Sequence, residues 1–187
     1  MESLKQWPRL VWIDLEMSGL NVQRDKILEI ACVITDSDLN IVAMKEPIVV
    51  GQNQGLIEEM DQWNILHHTQ SGLIDELRKS SCTIEEAERE ILLFVKEYCE
   101  PEKSPLCGNS VWMDRFFLQT YMPLLEQYLY YRIIDVSTVK QLVNFWYGMP
   151  DKELYKKRNA HRALDDIKES IEELKFYRDN FFIKKRS

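Results

Sequence analysis

A chain of 187 residues has room for one domain, with a core that needs neither disulfides nor a structural metal to fold. Hydrophobic residues make up 45% and charged residues 29%, and no run of 18 apolar residues occurs, which excludes a membrane-spanning helix. With 24 Lys and Arg against 31 Asp and Glu, the net charge is −7 and the pI about 5.1, so the chain lacks the broad positive field of proteins that track along a polyanion.

The opening MESLKQWPRL has neither the apolar stretch of a signal peptide nor the Arg-rich, acid-poor character of a transit peptide. Cys32, Cys82, Cys99 and Cys107 show no CxxC spacing, so the expectation is reduced thiols and a cytoplasmic protein. Three strand-like runs follow, at Leu10–Met17, Ile27–Asp36 and Ile41–Val50, joined by short turn-prone segments that predict an antiparallel meander. Residues 56–79 read as interrupted helix. Thr83 and Glu86 form a capping-box pair ahead of a helix to Cys99, with Ile84, Ala87, Ile91, Phe94, Val95 and Tyr98 at helical spacing. A short apolar run at Pro105–Cys107 enters Gly108-Asn109, and a helix is predicted over roughly Leu118–Leu129, perturbed at Pro123. Tyr131–Val136 reads as a strand and Ser137 or Thr138 as the cap of a helix ending at Gly148. Residues 151–160 read as loop, Ala160–Arg178 as a last helix, and Lys184-Lys185-Arg186 as a solvated tail. The pattern is α/β, with a mixed sheet in a single domain over 1–187 whose core spans about 10–182.

In the first strand Asp14 and Glu16 are two apart and share a face. Two carboxylates so placed repel each other and lose solvation, and a divalent cation with hard oxygen ligands relieves both penalties. The alternative is a polar sheet face open to water. On the last helix Leu164, Ile167, Ile171 and Leu174 define the buried stripe. Asp166 then falls at its edge beside Ala163 and Ser170, whereas Asp165 faces away with Glu169 and Glu172. Asp114, near a helix start, has the simpler role of a helix-dipole partner open to it.

Asp14-Leu15-Glu16, then Gly108-Asn109-Ser110 with Asp114-Arg115, then His161-Arg162-Ala163 with Asp166, resemble the three motifs of the DEDDh superfamily of 3′→5′ exonucleases. Trp12–Met17 with Gly19-Leu20, Met60–Asn64, Ser104–Ser110 and Tyr131-Arg132 with Asp135–Thr138 narrow the resemblance to the oligoribonuclease family, over nearly the whole chain. The resemblance implies an RNase H-like fold and hydrolysis of very short RNA, dinucleotides especially, to nucleoside 5′-monophosphates. It implies two divalent cations, Mg²⁺ or Mn²⁺, held by Asp14, Glu16, Asp114 and Asp166, with His161 as general base. It also implies a closed substrate pocket. Leu20 and Trp63 would wedge and stack the bases, His68 would touch substrate, and Ser110, Arg132, Ser137 and Thr138 would cap the 5′ phosphate. Tyr131 would reach the neighbouring active site of a homodimer. Read from the residues alone, Trp63 could equally be a core aromatic. The rival functions are a proofreading-type DNA exonuclease and a non-catalytic nucleotide-binding protein on the same fold.

Overall fold

The computed structural model describes residues 8–149 and 162–182. The predicted loop at 151–160, His161 and the basic tail lie outside the described residues.

Five strands form one mixed sheet in the order β3-β2-β1-β4-β5. The first three, β1 (Leu10–Met17), β2 (Ile27–Thr35) and β3 (Ile41–Val49), pair antiparallel as the short turns require. The last two, β4 (Pro105–Gly108) and β5 (Tyr130–Asp135), are added parallel on the far side of β1. This leaves β1 central, where its acids face the interior of the molecule rather than an edge. All nine residues of β2 are buried, so its near-continuous apolar run is covered on both faces.

One face of the sheet packs on α4 (Ile84–Tyr98), α5 (Trp112–Tyr121) and α6 (Pro123–Tyr128), around Val11, Ile13, Leu15, Ile91, Phe117 and Leu125. The capping box of α4 forms as read: Thr83 Oγ1 accepts from the Glu86 amide, and a Glu86 carboxylate oxygen accepts from the Thr83 amide. The single helix predicted over 118–129 is instead two. Helix α5 begins six residues earlier, at Trp112, and the chain restarts at Pro123, whose ring suits a first helical position. The buried Glu88 carboxylate accepts the otherwise orphaned Leu124 and Leu125 amides there.

The other face carries α7 (Val136–Tyr147) and α8 (Ala163–Phe181), around Trp12, Ala31, Val33, Ile167, Ile171 and Tyr177. Asp135, rather than Ser137 or Thr138, caps α7: its carboxylate accepts from the Ser137 amide. Both residue types satisfy a cap, and the strand ending one residue earlier than predicted decides between them. Helix α8 is shifted about three residues toward the C-terminus, and its buried side differs from the predicted stripe. Ala163, Ile167, Ser170, Ile171, Glu173 and Tyr177 are buried, while Leu164 and Leu174 are half-covered.

A third cluster sits over the start of β2. Helices α1 (Gln54–Glu59), α2 (Gln62–Gln70) and α3 (Leu73–Lys79) pack Ile57, Met60, Leu73, Ile74 and Leu77 onto Leu28. Asx caps start the first two of these short helices, Asn53 before α1 and Asp61 between α1 and α2. Among the described residues no helix is long and apolar enough to cross a membrane.

Candidate active site

Strand β4 ends at Gly108 while β1 runs on. A Cβ at Gly108 would come within 3.3 Å of the Ile13 carbonyl oxygen and 3.1 Å of Val111 Cγ2, so a side chain there would crowd β1 and the turn, and glycine lets the chain turn this close without that crowding. Beyond this turn β1 has no strand partner on that side. The exposed bonding position is filled by Asp114, in the first turn of α5, whose Oδ1 accepts from the Leu15 amide at 3.1 Å. Asp114 is thereby locked against the backbone between the two acids of β1.

Carboxylate oxygens of Asp14, Glu16 and Asp166 all lie within 4.8 Å of one another. Helix α8 delivers Asp166 to the β1 acids because its apolar side packs on β1 and β2, while Asp165 stays exposed, as the helical spacing predicted. Asp114 stands outside this trio, joined to it through the Leu15 amide. The register places Glu29 of β2 directly opposite Glu16, adding a further acid to the same side.

So much negative charge in a sheltered place has a measurable cost. Burial, then the neighbouring Asp166 and Glu29 carboxylates, push Glu16 up to about 8. Burial pushes Asp114 up to about 7. Three convergent hard-oxygen donors, with the ionised form of Glu16 disfavoured among them, fit a divalent cation, which would be held by Asp14, Glu16 and Asp166.

The compensating charge present in the protein itself was not legible from the sequence. Glu29 is 0% exposed on its side chain, and Arg162 pairs with it at 2.7 Å. Glu29 Oε2 also accepts from the Ala163 amide at 3.4 Å, capping α8 immediately before Asp166. A lone acid inside the apolar run of β2 was the signal available, since such a residue must find a partner.

The residues proposed to touch substrate fall into three groups. Leu20 and Trp63 are 68% and 61% exposed, so Trp63 is a surface aromatic and not a core one; its ring stacks on His67 at 3.8 Å. The loop bearing Leu20 is tightly built: Asp25 accepts from the Asn21 amide, and the Tyr121 hydroxyl reaches the Val22 and Asp25 carbonyls. His68 is only 3% exposed. Its Nε2 donates to the Met17 carbonyl, leaving Nδ1 3.8 Å from Glu16 Oε2. Burial holds the His68 imidazole below its ordinary pKa.

Ser110 and Ser137 meet, their hydroxyls 3.2 Å apart. The Ser110 amide donates to Asp135 Oδ1 and Ser137 Oγ, in a turn where Ser110 has φ of 50°. Ser137 in turn donates to Asn109 Oδ1, and the Asn109 amide nitrogen reaches Ser170 and Glu173 on α8. A partly buried polar chain, unread in the sequence, thus ties this pair of serines to the helix of Asp166. Thr138 is exposed on the next residue of α7. Arg132 and Tyr131 are both exposed on the edge strand β5, and the Arg132 guanidinium hydrogen-bonds the Tyr131 hydroxyl at 2.9 Å. Among the described residues no hydrogen bond or ion pair joins Arg132 to the serines.

The RNase_T exonuclease family matches residues 11–174, which include the central strand and the covering helix whose acids converge, so the chain belongs to the exonuclease class. Exonuclease I from Methylocaldum szegediense and from E. coli in complex with an oligonucleotide share the fold, each with a TM-score of 0.69 at 15% identity over 93% of this chain. The chain spans 41% of the length of those larger proteins. It is 50% identical over 184 residues to the mitochondrial oligoribonuclease of Homo sapiens, covering 98% of this chain and 77% of that protein. The oligoribonuclease of Francisella tularensis is 49% identical over 169 residues, covering 90% and 93%. The chain belongs to the oligoribonuclease family.

Proposed function

We propose that the protein is a 3′→5′ exoribonuclease that hydrolyses RNA oligomers of a few nucleotides, dinucleotides especially, to nucleoside 5′-monophosphates. The convergence of Asp14, Glu16 and Asp166 carries the chemistry in this reading, and membership of the oligoribonuclease family carries the substrate class. Divalent cations, two of them and Mg²⁺ or Mn²⁺ by the hardness of the ligands, would supply activation of the attacking water and stabilisation of the leaving 3′-oxygen.

The chain's own residues do the rest. Asp14, Glu16 and Asp166 hold the charge, with Asp114 fixing the β1 backbone between them. His161 is assigned the proton of the attacking water. The next residue, Arg162, is tied down on two carboxylates. An imidazole of ordinary pKa near ~6.5 suits proton removal at neutral pH. Leu20 and Trp63 offer exposed apolar surface, and stacking on an aromatic ring contributes about 1–3 kcal/mol per base. His68 supports the Glu16 end of the site from its buried place beside that carboxylate. Ser110, Ser137, Thr138 and Arg132 are assigned to the terminal 5′ phosphate, which ends the groove and rejects longer chains. A homodimer, in which Tyr131 from one protomer reaches the site of its partner, agrees with the exposed aromatic and apolar side chains of Trp112, Phe116, Tyr131 and Ile133. The four free thiols fit a reducing compartment such as the cytoplasm.

The acidic charge follows from the same reading. A ligand with one or two phosphates releases few counterions, so a broad basic surface would add little affinity.

A length series tests the capped pocket. With RNAs from two to about twenty nucleotides, initial rates are expected to be highest for the dinucleotide and to fall by about tenfold or more as length grows past the pocket, the equivalent of ~1.4 kcal/mol per decade. Equal rates at all lengths would remove the cap and leave a general exonuclease. A DNA dinucleotide in the same assay separates this reading from a DNA exonuclease, since only the RNA carries the 2′-OH.

A further inference from the structure

Arg162 makes more polar contacts than its pairing with Glu29 requires. Nε and Nη2 hold the buried Glu29 carboxylate at 2.7 to 3.3 Å. Nη1 and Nη2 grip both oxygens of Glu76 at 3.0 Å each, and Nη1 also reaches the Ser71 carbonyl at 3.4 Å. Ser71 is the C-cap of α2 and Glu76 lies in the first turn of α3. One guanidinium therefore joins the entry of α8, which carries Asp166, to the corner behind α2, which carries Trp63 and His68.

The two carboxylates stand in unlike places. Glu29 is fully buried and needs its cation for folding, whereas the Glu76 side chain is 45% exposed and could be solvated by water. A half-exposed ion pair adds little to stability. What a doubly bonded planar fork does fix is orientation, and a single-point ammonium would not.

We propose that the Arg162–Glu76 bond is a clamp that sets where the stacking helix α2 stands relative to α8, making Glu76 a positioning residue for the two-nucleotide register. This rests on the assignment of Trp63 to a base and of Asp166 to the divalent cation at the scissile bond given above. The distance between those two groups is what a dinucleotide must span, and Glu76 touches neither.

The test uses the full chain with Glu76→Gln, and with Glu76→Ala as a second variant that places no amide against the guanidinium. Asp75→Asn, in an exposed pair with Arg78, is the control and is expected to behave as the unaltered protein. On an RNA dinucleotide, both Glu76 variants are expected to raise KM about threefold to tenfold with kcat within about twofold. In a Trp63→Ala background the same substitutions are expected to change KM by less than about twofold, because the stacking group being positioned is gone. Hydrogen exchange is expected to quicken together at amides 64–70 and 163–169 in the Glu76 variants and at neither in the control. An equal KM penalty with and without Trp63, an unchanged KM, or exchange that quickens in α3 alone would overturn the clamp. An unaltered protein that leaves RNA dinucleotides intact would instead defeat the functional reading, and the exchange pattern would still decide whether α2 and α8 are coupled.

Discussion

Asp14→Asn is expected to reduce turnover at least about 10³-fold while raising the melting temperature of the metal-free protein, because the residue is costly to the fold and indispensable to the chemistry. Its carboxylate lies within 4.8 Å of those of Glu16 and Asp166. The neutral amide removes a negative charge from beside Glu16 and Asp166 without changing shape, so the folded state gains when no cation is present. A relief of about 1 kcal/mol corresponds to ~2–4 °C for a chain of this size. The gain should vanish or reverse when divalent ion is added, since asparagine supplies a weaker ligand. Paired melting curves and single-turnover rates check both halves. An asparagine variant with near-normal turnover would remove Asp14 from the site, and one that lost both activity and stability would make its role merely structural.

His161→Ala is expected to lower kcat about 10²–10⁴-fold, the range for loss of a general base, with dinucleotide binding changed by less than about threefold. The described residues that follow it are tightly held: Arg162 bonds Glu29 and Glu76, and the Ala163 amide bonds Glu29, so the chain enters α8 with little freedom. A general base acts on the water and not on the nucleobases, which is why the effect should sit in kcat. In the unaltered protein the rate should rise with pH through the titration of an imidazole, and the variant should lose that dependence over the same interval. Turnover by the alanine variant at the normal rate would move the base to another residue.

The acids of β1 were readable because strand alternation is strictly periodic: nothing but a bulge could separate Asp14 from Glu16, and the irregularity falls after Glu16. Asp166 and Asp165 were separable by the same kind of reasoning on a helix, even though the stripe of α8 was drawn around Leu164 and Leu174 instead of Ala163, Ser170, Glu173 and Tyr177. An aliphatic stripe leaves Glu173 out and places Ser170 only at its edge. Both are buried because Asn109 and Tyr177 satisfy them, and such partners are set by tertiary packing, which periodicity does not carry. Glu29 and Arg162, 133 residues apart, were missed for that reason. Helix α5 was placed late because Trp112 and Phe116 remain exposed, which blurs its amphipathic pattern. The serine pair at Ser110 and Ser137 came from the resemblance, and the structure brings the two together, while Arg132 lies on Tyr131 along the edge strand.

A divalent-cation site formed by the clustered acids is tested most directly by the unfolding free energy as a function of pH, in chelator and in Mg²⁺ or Mn²⁺. In the folded chain Glu16 is raised from 4.5 to about 8 and Asp114 from 3.8 to about 7. A carboxyl raised on folding keeps its proton in the folded state after the unfolded chain has released it, so stability falls as pH rises between the two values. In chelator, stability is therefore expected to decline from about pH 4 to about pH 8 on account of these groups. Divalent ion is expected to stabilise the protein increasingly over that interval, as the ligands ionise to receive it. A pH profile that is the same with and without the ion, with no stabilisation at pH 8, would contradict the account.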